Sequence, residues 1–201
     1  MLDGNKTRPE IVLIAAASLN GVIGPPQVLR WKILDRSPNF RRHINGQTVI
    51  MGRKTREFLG MPIYGSRNIV LTNSAKYSAI NAEPAHSLEQ ALQMVRSEEQ
   101  VFVIGGSQLF NRAFKIADRI CLTEVNAVIS GKHVFPEIRH TEWIESKRSA
   151  RQGAVQDLMN FCFVEYVRKP NADITDEENM RSIDDPSHVA LGQETNQATD
   201  E

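Results

Sequence analysis

The strongest constraint on the fold is the run Val101-Phe-Val-Ile-Gly-Gly-Ser-Gln-Leu-Phe-Asn-Arg-Ala-Phe-Lys115. Four consecutive β-branched or aromatic residues suit a strand buried on both faces, as in a parallel sheet covered by helices. Two glycines stop it, and Leu109, Phe110, Ala113 and Phe114 then recur on one helical face. The segment reads as strand, Gly-Gly turn, helix. Unpaired N–H groups at a helix start attract anions, and glycines let an anion approach the backbone. Two readings of the turn follow: a seat for a diphosphate, or a tight turn with nothing bound. Gly-Gly alone does not separate them.

Ile11-Val-Leu-Ile-Ala-Ala-Ala17 has the same two-face-buried character, and Thr48-Val-Ile-Met51 and Asn68-Ile-Val-Leu-Thr72 add two further strands. Helical patterns fall between them. One covers about 35–44, with Phe40 and Ile44 inward and Pro38 confining its start; another follows Gly52 and contains Phe58 and Leu59. Ser87 predicts the cap of a helix running to about Arg96, with Leu88, Ala91, Leu92 and Val95 inward. Residues 119–125 and 160–167 alternate in polarity, as partly exposed or antiparallel strands do. This order predicts a single α/β domain over 11–169, its mostly parallel central sheet flanked by about four helices and closed by an antiparallel C-terminal hairpin. Residues 1–10 are expected to be a flexible leader. Residues 170–201, rich in Asp, Glu, Asn and Thr without an apolar period, are expected to be an acidic, disordered tail.

The chain balances 24 Lys and Arg against 24 Asp and Glu, but nine acidic residues and one arginine follow Pro170, leaving the body about eight positive charges in excess. Such a body draws polyphosphate ligands, although a generally basic surface has the same count. No dense Lys/Arg stripe with interleaved aromatics points to nucleic acid. No apolar run approaches the roughly 20 residues of a membrane helix, and the polar N-terminal residues carry no secretory signal. Cys121 and Cys162 fall in strand-like runs without metal-ligand spacing, so free thiols in a reducing cytoplasm are expected and no metal site is.

In an open α/β sheet, ligands bind beyond the carboxyl ends of the strands. The residues there are Gly52-Arg53-Lys54-Thr55, Thr72-Asn73-Ser74 and Gly105-Gly106-Ser107. Cations beside hydroxyls and glycines suit a dinucleotide phosphate chain, and Arg53 with Lys54 suit a 2′-phosphate. A solvated basic loop is the plainer account of any one of these segments; three at one sheet edge strengthen the phosphate reading.

Val49-Ile-Met-Gly-Arg-Lys-Thr55, Pro62, Gly65-Ser-Arg-Asn-Ile-Val-Leu71, Val103-Ile-Gly-Gly106 and Phe135-Pro136 together resemble dihydrofolate reductase, as do Ile14-Ala-Ala16, Gly21-Val-Ile-Gly24 and Trp31. Their order and spacing match over about residues 11–168. The resemblance implies the family fold, a mostly parallel eight-stranded sheet with a reversed last strand, and NADPH as hydride donor. It implies that Arg53, Lys54, Thr55, Thr72 and Asn73 meet the adenosine phosphates, and that Gly105, Gly106, Ser107 and Gln108 meet the diphosphate across a cis Gly105–Gly106 bond. Ala16, Ile23 and Gly24 would flank the nicotinamide, and Trp31 would orient the pterin through water. Phe40, Leu59 and Ile63 would form the slot for the substrate's aromatic ring, with Ile14 and Ile104 beside them; plain core packing fits the same spacing.

Departures from the family pattern gather on the substrate side. The family's pterin-holding carboxylate falls, ungapped, on Arg36, with Asp35 one residue earlier. Reducing a C=N bond takes a proton as well as a hydride, which a carboxyl by the pterin would support. Arg36 is a donor only, so Asp35 is the candidate, with an ordinary helix cap as its bland account. The carboxylate-gripping arginine is replaced by Ser66; Arg67 adjoins it, although alternation along a strand would point it the other way. His133 stands where the resemblance puts a threonine bonded to that same substrate carboxylate, Phe110 replaces a tyrosine beside the nicotinamide, and Arg30 replaces proline before Trp31. A histidine at that place could donate a proton near neutral pH, or simply be exposed.

The expected protein is therefore an NADPH-dependent dihydropterin reductase in the cytoplasm, a monomer or homodimer, with dihydrofolate as default substrate. Two alternatives stand beside it: reduction of another dihydropterin, such as dihydromethanopterin, or a nucleotide-binding module without turnover.

Overall fold

The computed structural model describes residues 8–24, 38–63, 65–151 and 160–170. Their elements run β1 (Glu10–Ser18), α1 (Pro38–Ile44), β2 (Thr48–Gly52), α2 (Arg53–Leu59), β3 (Arg67–Leu71), β4 (Glu83–Ala85), α3 (Leu88–Met94), β5 (Gln100–Gly105), α4 (Ser107–Phe114), β6 (Arg119–Val125), β7 (Trp143–Arg151) and β8 (Phe161–Arg168). The strands form one sheet in the order β4-β3-β2-β5-β1-β6-β8-β7. Every pair from β4 to β6 is parallel, whereas β8 runs antiparallel to both β6 and β7. The hairpin expected at the C-terminus thus joins β7 to β8, and residues 119–125 belong to the parallel part as well.

Continuous apolar runs arise because both faces of this sheet are covered. Leu13, Ala15, Ile50, Ile69, Val101, Val103, Ile120 and Leu122 pack with Leu88, Ala91, Leu109 and Ala113 of α3 and α4. The alternate residues, Val12, Ile14, Val49, Met51, Val70, Phe102, Ile104 and Cys121, pack with Phe40, Ile44 and Leu59 of α1 and α2. Strand periodicity sends successive side chains to opposite faces, so one sequence fills two cores. Connections from β1 lead toward β2 and those from β5 lead toward β6, which makes the adjacent pair β5–β1 the switch point of the sheet.

The described residues begin at Arg8, ahead of β1. Arg8 makes a two-pronged ion pair with Asp118, at 2.7 and 3.0 Å, and Asp118 also accepts from the Ile11 amide. At the other end, Arg168 lies 4.2 Å over the Trp143 ring and donates to the carbonyl of Phe114, the last residue of α4, and to that of Ala117 beyond it. Residues 1–7 of the expected leader and 171–201 of the expected tail lie outside the described residues.

Candidate active site

The carboxyl ends of β2 and β5 meet through glycine. Register slips where Ile50 pairs with Val103 but Met51 pairs with Gly105, a bulge that leaves Ile104 unpaired just before the turn. Bulges re-aim a strand end, here bringing Gly105 and Gly106 against Gly52 and Thr55. A Cβ on Gly105 would sit 3.0 Å from the Thr55 hydroxyl oxygen, and one on Gly106 would lie 3.8 Å from the Gly52 Cα. Gly106 has φ 98°, a region that side chains disfavour. The cis bond expected between these glycines is absent: there is no cis peptide among the described residues. The chain turns through the glycines' dihedral freedom instead, with a trans peptide between them.

Gly106 is the N-cap of α4 and brings no side-chain acceptor to its first amides. The start of α3 is different, because the Ser87 hydroxyl accepts from the Gln90 amide. The bare backbone before Ser107 and Gln108 therefore fits the diphosphate of a dinucleotide, whereas Ser87 closes its own helix. Beside it, α2 carries Arg53 and Lys54, both exposed, with Thr55 half-buried against Gly105. Arg53 donates to Glu57 at 2.6 Å. Gly52, Leu71 and Ala85 stand in register across β2, β3 and β4, so Arg53, Thr72 and His86 follow at one edge. There the Thr72 hydroxyl accepts from the Ser74 amide across Asn73, and His86 Nδ1 donates to the Thr72 carbonyl. The candidate phosphate loops therefore do converge.

The candidate slot residues converge too. Ile14, Phe40 and Ile104 are buried in one cluster on the α1–α2 face, with Ala16, Leu59 and Ile63 partly buried against it. Asn68 holds the slot's rim. Its buried side-chain amide accepts from Ile63 N and donates to the carbonyls of Ile63 and Ser66, at 2.8–3.0 Å. Sequence reading passed over Asn68 as one more strand residue, although a buried amide in an apolar strand needs partners. It also passed over Thr123, a buried hydroxyl paired in register with Ala16 and alternating with Cys121 onto this same face. Its isolation within Ile-Cys-Leu-Thr was the available signal.

Three expected substrate contacts lie elsewhere. Phe110 is buried on the opposite face, edge-on to Phe135 with ring centroids 5.1 Å apart, as helical periodicity requires of a residue beside Leu109 and Ala113. Arg67 turns away from the slot, as strand alternation dictates. Its guanidinium is engaged by both carboxylate oxygens of Glu83, by Glu98 at 2.9 Å and by the Met94 carbonyl. The hydrogen bond from Arg67 holds the Glu83 carboxyl below the usual carboxylate range. Ser66 points the other way and donates to the Ile44 carbonyl at the end of α1. His133 lies at the start of α4, its Nδ1 3.2 Å from Ser107 Oγ, because the β6–β7 loop crosses the sheet end rather than the slot. Its carbonyl accepts from the Ile23 amide, so Ile23 and Gly24 sit beside the same turn. Trp31, Asp35, Arg36 and Arg30 lie outside the described residues.

Glycine turns at a switch point, cations along one edge and an apolar slot beside them define a nucleotide-binding α/β protein that holds a second, largely apolar ligand. The sequence model of dihydrofolate reductase matches residues 10–168. The dihydrofolate reductase of Neisseria meningitidis serogroup A is 38% identical over 160 residues, which cover 79% of this chain and 98% of that protein. The Neisseria gonorrhoeae enzyme is 37% identical over 161 residues, covering 80% and 99%. A solved structure, dihydrofolate reductase from Enterococcus faecalis complexed with NADP(H) and RAB-propyl, superimposes with TM-score 0.72 at 28% identity, covering 80% of this chain and 96% of that one. The chain belongs to the dihydrofolate reductase family.

Proposed function

We infer that this protein reduces 7,8-dihydrofolate to tetrahydrofolate with NADPH. The observation that carries the reading is the contact of the Gly52 and Gly105–Gly106 turns at the ends of β2 and β5, next to the β5–β1 switch point and beside the Ile14–Phe40–Ile104 cluster. When bound there, NADPH supplies a hydride. The chain's residues do the rest by position. The first amides of α4 and the Gly105–Gly106 backbone hold the diphosphate, while Arg53 and Lys54 take the adenosine phosphates, Arg53 exchanging Glu57 for a stronger anion. Ala16, Ile23 and Gly24 border the nicotinamide. Ile14, Phe40, Leu59, Ile63 and Ile104 exclude water around the substrate rings, and Thr123 offers the pterin a hydroxyl in that apolar wall. Asp35 is the group we assign to the proton that must reach the ring nitrogen, with Trp31 orienting the pterin.

Ser66 in place of a cation, with Arg67 committed to Glu83 and Glu98, favours a second reading in which the substrate is a dihydropterin lacking a tail carboxylate at that place. Following NADPH oxidation at 340 nm with dihydrofolate and with dihydromethanopterin separates the two. Turnover of the first supports dihydrofolate reduction, and turnover of the second alone would replace it. No helix among the described residues is long and apolar enough to cross a membrane. We propose a cytoplasmic enzyme, monomer or homodimer, without a nucleic-acid partner, which sedimentation with and without RNA tests.

A further inference from the structure

Among the described residues, His133 is the one imidazole hydrogen-bonded at the start of α4, and its main chain and side chain reach different halves of the cofactor site. Its carbonyl accepts from Ile23 N at 2.9 Å, next to the Val22–Val134 bridge and the bond from Phe135 N to Gly21 O, so this residue helps fasten the loop bordering the nicotinamide. Its ring docks on Ser107, the first residue of α4, 3.2 Å from the hydroxyl. Among the described residues, the second ring nitrogen makes no hydrogen bond. Resting on NADPH as cofactor, we propose that His133 is a cofactor-binding residue whose imidazole closes the diphosphate seat from the β6–β7 loop.

Three features carry the assignment. The ring is solvent-exposed, so it gains nothing from burial by lying where it does. Ser107 is a hydroxyl, which donates to an unprotonated Nδ1 or accepts from a protonated one; the contact survives either charge state. A proton gained by the ring therefore adds positive charge at the diphosphate turn without breaking the dock, and histidine is the side chain that changes charge between about pH 5 and 8. The charged groups on the elements that meet here are Lys132, Glu137, Arg139, His140 and Glu142 on the same loop, Arg112 on α4, and Arg53, Lys54, Arg56 and Glu57 on α2; residues 18–24 supply none. Glu137 is paired with Arg139 at 3.1 Å and Arg53 with Glu57. The third carboxylate, Glu142, is paired with Arg168 at 3.7 Å, so each acidic group on these elements is held by an arginine while Lys54 and Lys132 add positive charge, which suits a bound anion.

The test is the dissociation constant of NADPH and of NADH for the full-length protein, measured by fluorescence titration at about pH 6 and about pH 8. NADH is included because it shares the diphosphate and lacks the 2′-phosphate, which titrates near pH 6 itself. The variants are His133→Gln, which keeps a hydrogen-bonding side chain but never charges, and His133→Ala. The expected result is NADH binding several-fold tighter at the lower pH in the wild type, with no such dependence in either variant and unchanged unfolding midpoints without cofactor. Identical affinities and pH profiles in wild type and His133→Gln would overturn the proposal. So would weaker binding that appears only together with a lowered unfolding midpoint. If the wild type bound neither dinucleotide, the reductase reading would fall with it; if it bound NADPH normally and His133→Gln matched it, only this inference would fall.

Discussion

Removing the guanidinium of Arg67 separates a fold contact from a substrate contact. In the structure, Arg67 bonds both oxygens of Glu83 at 2.8 and 2.9 Å, Glu98 at 2.9 Å and the Met94 carbonyl at 3.1 Å. The side chain is 36% exposed, and Glu83 and Glu98 are 48% and 26% exposed. Solvent screening limits each such ion pair to about 0.2–1 kcal/mol, and the carbonyl bond adds about 1 kcal/mol. Arg67→Ala is therefore expected to lower unfolding free energy by about 2 kcal/mol at pH 7. Glu83 is held below the usual carboxylate range, so its stabilisation is complete above the unfolded value near 4.3 and disappears as pH falls through the folded one. The deficit of the variant should accordingly shrink in urea titrations at about pH 3.5. KM for dihydrofolate should stay within about two-fold of wild type. A tenfold rise in KM without a loss of stability would refute the argument and return Arg67 to the substrate site. The converse substitution, Ser66→Arg, places a guanidinium on the α1 side and should lower KM for dihydrofolate, since a charge-assisted bond contributes about 1.5–3 kcal/mol.

Other expectations follow from the packing. Arg168→Ala removes the stacked cation over Trp143 and the donors to Ala117 and Phe114, so it should cost about 3 kcal/mol in urea unfolding while leaving kcat unchanged; a loss below about 1 kcal/mol would contradict the role given to this clamp. Burial pushes the Cys121 thiol up to about 12. Its stabilising contribution is present below the unfolded thiol value near 8.5 and fades as pH rises from there toward 12, and a thiol reagent at pH 8 should modify Cys162 first and Cys121 only on unfolding. Thr123→Val keeps shape and removes the hydroxyl, so KM for dihydrofolate should rise several-fold with little change in NADPH affinity; an unchanged KM would remove Thr123 from the site.

Strands buried on both faces were plain from their apolar runs, because β1, β2, β3 and β5 have no solvent face to encode. Short β4 escaped because it has three residues, one of them proline, and β7 escaped because its sequence, Trp-Ile-Glu-Ser-Lys-Arg-Ser-Ala-Arg, is that of a polar edge strand. The candidate phosphate loops stood out because glycines and cations follow three strand ends, although each loop taken singly reads equally as a solvated basic turn. His133 was misplaced on the substrate side because nothing local to Gly-Lys-His-Val tells where a loop crosses the sheet. Asn68 and Thr123 were missed because a polar residue inside a strand announces itself only once its neighbours are known.

The central claim is tested most directly by NADPH oxidation at 340 nm with dihydrofolate, comparing wild type and Asp35→Asn. The account predicts turnover by the wild type and a drop of at least about a hundredfold in the variant near neutral pH, the lower range for a general acid or base. NADPH binding without turnover of dihydrofolate by the wild type would contradict the assigned reaction, and full activity in Asp35→Asn would contradict the assigned proton donor.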